Sequence, residues 1–113
     1  MLKKIECFVR QSKLEHIKDR LIELGVEGMS VVKIMGFGRL QTMTPEEKTN
    51  GKVKLLERVR VDIVVEEDRV DEIVSEIKRL ARTGSVGAGK IFVIPVEDAI
   101  RISTDEAGRI AVR

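Results

Sequence analysis

Residues 83–93 constrain this chain more than any other stretch, because they join two periodicities in one order. Before them, Val70, Ile73, Val74, Ile77, Leu80 and Ala81 recur at helical spacing. After them, Ile91, Phe92 and Val93 begin a short apolar, β-branched run suited to a strand. Between lie Gly84, Gly87 and Gly89, three glycines in six residues, followed by Lys90. Such a backbone can approach an anion closely, and successive N–H groups in it can form a nest for phosphate. Gly84, four residues, Gly89 and Lys90 satisfy most of the Walker A pattern, but Ile91 stands where a Ser or Thr should reach Mg²⁺. A P-loop also follows a strand and opens a helix, the reverse of the order here. Two readings stay open: a phosphate cradle of another kind, or a helix-to-strand turn that uses glycine for geometry alone.

The rest of the chain supplies the partners of that strand. Residues 3–9 alternate, with Ile5, Cys7 and Val9 on one face and Lys4, Glu6 and Phe8 on the other, as a half-buried strand does. Cys7 falls in the apolar set and reads as a packed thiol. Ser12-Lys13-Leu14-Glu15 reads as a capping box, and Leu14, Ile17, Leu21 and Leu24 form a helical stripe that Gly25 can end. His16 lies off the stripe and reads as solvated. Residues 29–35 form a second strand, closed by Gly36-Phe37-Gly38-Arg39. Periodicity then fails over residues 40–54, a loop long for so small a domain and therefore either a hairpin tip or an interaction arm. Residues 58–65 alternate strictly, with Val59, Val61, Ile63 and Val65 opposite Arg58, Arg60, Asp62 and Val64. Glu66, Glu67 and Asp68 suit the N-terminus of the second helix, and Lys78, Arg79 and Arg82 its C-terminus. A fourth strand over residues 91–96 and a short strand around Ile100-Arg101-Ile102 complete the pattern.

That order is β-α-β-β-α-β, an α+β, ferredoxin-like arrangement with two helices on one sheet face. All 113 residues form one domain. The other sheet face, carrying Val64, Phe8 or Phe92, also needs cover, and self-association is one way to provide it. Composition excludes several function classes. A formal net charge of +2, with three Phe and no Tyr or Trp, gives no case for nucleic acid. One Cys and one His cannot build a disulfide framework or a zinc site. No run approaches a membrane span, and the expected setting is cytoplasmic.

At the residues now on the page the chain resembles the PII signal-transduction proteins. Thr83-Gly84-x-x-Gly87-x-Gly89-Lys90-Ile91-Phe92-Val93-x-Pro95-Val96, continuing through Ala99-Ile100-Arg101-Ile102-x-Thr104, is similar to that family's C-terminal signature. Gly28-Met29-Ser30 precedes the second strand, and Gly36-Phe37-Gly38-Arg39 stands where the family's T-loop departs, here residues 39–57. The resemblance implies a homotrimeric, non-enzymatic sensor that binds ATP or ADP between subunits and docks its T-loop on a protein target. Any membrane association would run through a transporter partner. Carried over by position, Gly87, Ala88, Gly89 and Lys90 would cradle the phosphates, with Arg101 and the loop-base Arg39 reaching them. Ser30 would face the adenine, Val64 would line the base pocket with Asp62 nearby, and Gly36 and Gly38 would admit close backbone approach. Arg58 stands where a Lys usually meets an oxo-acid carboxylate.

Three departures bear on ligand choice. Family members that bind 2-oxoglutarate carry a Gln directly after the loop-base Arg, as a ligand of Mg²⁺ and of the oxo-acid. Here that residue is Leu40, with Gln41 one position late, and leucine cannot coordinate a hard cation. The sequence thus argues against 2-oxoglutarate and against Mg²⁺. Ser103 replaces a second C-terminal arginine, removing one phosphate contact. Without tyrosine the loop cannot be uridylylated or adenylylated on that residue. The competing reading is a trimeric ferredoxin-like scaffold without nucleotide sensing.

Overall fold

The computed structural model describes residues 1–37, 48–49, 52–82 and 89–113. In chain order these form β1 (Leu2–Val9), α1 (Leu14–Glu23), β2 (Ser30–Gly36), β3 (Lys48–Thr49), β4 (Lys52–Val53), β5 (Leu56–Glu66), α2 (Val70–Ala81) and β6 (Gly89–Val96). The main sheet runs β2-β5-β1-β6, with every neighbouring pair antiparallel. This is the ferredoxin-like order expected from the sequence.

The alternation read from sequence is the alternation of burial. Ile5, Cys7 and Val9 of β1 and Val59, Val61, Ile63 and Val65 of β5 are buried beneath Ile17 and Leu21 of α1 and Ile73, Ile77 and Ala81 of α2. Leu14, Leu24, Val70, Val74 and Leu80 pack around this core. The end of α1 has a local cause. Gly25 takes φ +82°, its N–H bonds the Ile22 carbonyl, and the Val26 N–H bonds the Leu21 carbonyl, both at 3.0 Å. That is a Schellman ending, which a left-handed glycine makes inexpensive. The Arg69 guanidinium donates to the Leu24 carbonyl at the same end, and Arg20 reaches Glu76 across the two helices. Hydrogen bonds from Arg79 first, then Arg20, hold the Glu76 carboxyl below its ordinary range.

Four expectations change in detail. The capping box does not form: a 3-10 turn, Gln11–Lys13, precedes α1, and no side chain caps either element. The chain begins to turn directly after β1, so Ser12 lies within the turn rather than in front of the helix. β6 begins two residues early, at Gly89. Leu56 and Glu57, read as loop, pair with Gly36 and Met35 and lengthen β5. The segment at Ile100 makes a single antiparallel bridge with Ala107 instead of a strand, and a 3-10 turn, Gly108–Val112, follows. Between β2 and β5, Lys48 pairs with Val53 and Thr49 with Lys52. That register leaves two residues between, Asn50-Gly51, the dipeptide most favourable to a two-residue hairpin. Gly38, Arg39, Leu40 and residues 83–88, including Gly87 and Ala88, lie outside the described residues.

Cys7 is an inert core thiol. Its Sγ donates to the Val61 carbonyl at 3.6 Å, and burial, with Asp62 next, pushes its pKa from 9.0 to about 11. The folded state therefore keeps a proton that the unfolded state releases first. This contribution to stability is whole below pH 9 and is lost as pH rises from 9 towards about 11. A thiol reagent at about pH 8 should label Cys7 only as fast as the protein opens, and rapid stoichiometric labelling of the native protein would contradict the packing.

Candidate functional site

The register places Ser30, Gly36, Arg58, Asp62, Val64 and Lys90 on the sheet face that the helices leave open. Side chains two apart on a strand share a face, and cross-strand partners align them into rows. Val32, Arg60, Phe8 and Lys90 form one row, and Ser30, Asp62, Glu6 and Phe92 the next. Val64, Lys4 and Ile94 form a third, and Glu66, Leu2 and Val96 a fourth. Beyond the first row, towards the loop, lie Arg58 opposite Ile34, and then Gly36.

This open face is mixed in character. Phe8 and Phe92 meet edge to face, with centroids 5.8 Å apart, and Phe92, Val32 and Ile94 remain substantially exposed. Between these apolar groups runs a cross-strand charge network. Arg60 Nε lies 3.1 Å from Asp62 Oδ2 and 3.4 Å from Glu6 Oε1, while Lys4 Nζ lies 3.9 Å and 3.5 Å from the same two oxygens. Asp62, expected beside the base pocket, is thus engaged through Oδ2, and its buried Oδ1 lacks a hydrogen-bond partner. Such an orphan acceptor carries a desolvation penalty until a donor reaches it.

Gly89 has a structural reason to be glycine. It adopts φ +124°, and a Cβ built there would stand 1.9 Å from the Phe8 carbonyl oxygen. The edge of the sheet therefore demands glycine at this position whatever ligand the preceding residues hold. Lys90 follows on the open face, exposed and paired across the ladder with Phe8. Gly36, by contrast, has open space where a Cβ would stand, with no atom within 4 Å, and no unusual φ.

Arg101 lies elsewhere. Lys90 and Val96 lie six strand positions apart, about 20 Å, and Arg101 follows Val96. Its guanidinium turns onto the chain's own C-terminal segment, with Nη2 2.9 Å from the Arg113 main-chain oxygen. One chain thus brings Ser30, Asp62 and Val64 together in adjacent rows, puts Lys90, Arg58 and Gly36 towards the loop, and keeps Arg101 at the opposite end. Sequence reasoning did not find the Arg60–Glu6–Asp62–Lys4 network, although the strict alternation of residues 58–65 places Arg60 and Asp62 on one face.

A family model described as Nitrogen regulatory protein P-II matches residues 2–106. The chain belongs to the P-II family. Members of this family are signal-transduction regulators of nitrogen metabolism, not enzymes. The chain is 42% identical over 114 aligned positions to the P-II protein of Microchaete diplosiphon, covering 98% of this chain and 100% of that one. To the P-II protein of Synechocystis sp. it is 39% identical, with the same coverage of 98% and 100%. Its fold is similar to the crystal structure of Arabidopsis thaliana PII bound to citrate, with TM-score 0.80 and 35% identity over 97% of this chain and 91% of that one. Among the described residues, no cluster of His, Cys, Asp or Glu could hold a metal ion. None of the described helices is long and apolar enough to cross a membrane.

Proposed function

We propose that this P-II protein is an adenine-nucleotide-responsive regulator that works as a homotrimer, with ATP or ADP between subunits and the T-loop as the arm that contacts a target protein. One observation carries the reading. Ser30, Arg58, Asp62, Val64 and Lys90 occupy the open, partly apolar sheet face, yet Lys90 stands at the start of β6 and Arg101 lies beyond its far end. No single chain can close both cations on one polyphosphate. A neighbouring copy that packs its tail end against the loop end would do so, while burying Phe8, Phe92 and Ile94. The residue types suit the ligand: a lysine and an arginine for phosphate, Val64 for a base, and Asp62 Oδ1 as a free acceptor. Gly38, Arg39, Gly87 and Ala88 join the site on the sequence pattern. Nucleotide drives the loop by binding one of its states better than another. Leu40 in place of glutamine argues against a Mg²⁺-dependent 2-oxoglutarate response.

Titration calorimetry with ATP and ADP, paired with light scattering for oligomeric state, tests the proposal. Lys90→Ala and Arg101→Ala should each weaken nucleotide binding by roughly 10- to 150-fold, because each removes a charge-assisted contact of about 1.5–3 kcal/mol. Unchanged affinity in both variants would remove the site. A trimer with no nucleotide binding would instead support the scaffold reading.

A further inference from the structure

The C-terminal segment already occupies Arg101. Its Nη2 donates to the main-chain oxygens of Ile110 and Ala111 at 3.4 Å and of Arg113 at 2.9 Å. Its Nε lies 3.5 Å from Glu106 Oε1, and Thr104 Oγ1 bonds the same carboxylate oxygen at 2.8 Å, holding it towards the guanidinium. The backbone closes the same unit, with the Arg101 N–H on the Glu106 carbonyl at 2.8 Å. The segment is in turn fixed to the sheet. Glu66, at the end of β5, receives Arg113 Nε at 3.2 Å and Nη2 at 3.1 Å, and Arg109 Nε at 3.4 Å.

We propose that residues 106–113 form an intramolecular latch that competes with nucleotide phosphate for the Arg101 guanidinium. The inference rests on the assignment of Arg101 to phosphate made above. The competition is for one edge of the guanidinium, because Nη2 carries all three tail bonds and a two-pronged phosphate contact through Nη2 would have to displace them. It is also unequal. The Ile110 and Ala111 carbonyls are neutral and the Glu106 carboxylate is distant, whereas phosphate oxygens make shorter and stronger bonds to arginine. With the latch closed, only the fraction of chains with Arg101 released binds productively, and apparent affinity falls by that fraction. The anchor on Glu66 therefore sets nucleotide affinity without touching nucleotide, and its strength determines how full the site is at a given ADP concentration.

The test compares the full chain with Glu66→Gln and Arg109→Ala, which loosen the anchor, and with Arg101→Ala. ADP binding is followed by calorimetry and tail opening by hydrogen–deuterium exchange over residues 108–113. Each anchor variant should bind ADP about two- to fivefold more tightly, the span of one exposed ion pair. ADP should also speed exchange of the tail amides, the Arg113 N–H on the Ile110 carbonyl among them. ADP affinity unchanged or weaker in both anchor variants, with Arg101→Ala still impairing binding, would overturn the latch and leave the nucleotide site standing. Tail exchange that stays the same when ADP binds would overturn the latch in the same way. ADP binding indifferent to Arg101→Ala would overturn both.

Discussion

Gly89→Ala is expected to lower stability by about 2–6 kcal/mol, the sum of overpacking and of a side chain forced into a left-handed backbone region. The new Cβ would meet the Phe8 carbonyl oxygen at 1.9 Å and the Phe8 carbonyl carbon at 3.0 Å, with Val9 Cα at 3.4 Å. None of these is the end of a flexible side chain. All belong to β1, the strand that pairs with both β5 and β6, so relief requires β6 to separate from the sheet. Against a typical total of about 5–15 kcal/mol, such a loss would leave little folded protein under mild denaturation. Urea unfolding at fixed protein concentration measures it, with Gly28→Ala as control, since no atom lies within 4 Å of a Cβ there. Equal midpoints for the two variants would contradict the close approach at Gly89. The outcome also bears on how ligand data are read: a Gly89 variant that fails to bind nucleotide reports on the sheet before it reports on the phosphate site.

Ile73→Ala should cost about 2–5 kcal/mol, the range for truncating a fully buried aliphatic side chain whose cavity refills poorly. Ile73 has 0% exposure and lies in the core that α2 shares with β1 and β5. Ile22, on α1, has the same side chain at 63% exposure, so Ile22→Ala should stay within about 0.5 kcal/mol. Chemical denaturation of both variants separates burial from helix propensity, because the substitution is identical. A large loss at Ile22 would show that α1 uses its outward side in an assembly contact, which dilution would then expose as a concentration-dependent midpoint.

Much of this molecule is legible before any pairing is known. Where one period dominates, as in residues 58–65 or in the Val70–Ala81 stripe, local pattern and tertiary environment agree, because burial on one side is what selected the pattern. The capping box failed for a local reason of a different kind. Ser12 can cap a helix only if the chain stays extended through it, and the turn out of β1 begins sooner. The loop hairpin at Lys48–Thr49 and Lys52–Val53 had a signal in Asn50-Gly51 that the surrounding polar residues obscured.

Local pattern was enough for the element order, the buried faces, the glycine-rich junction and, through its motifs, the P-II resemblance. Those properties depend on neighbours within a few residues, where period and side-chain type suffice. Strand pairing and packing were needed to show that Lys90 shares a row with Phe8 and Arg60. They were needed equally to show that Gly89 must be glycine to clear a carbonyl of another strand, and that Arg101 lies at the far end on its own tail. Each of these joins residues distant in sequence, and strand register sets which of them meet. A shift of one residue would turn every side chain of a strand to the other face.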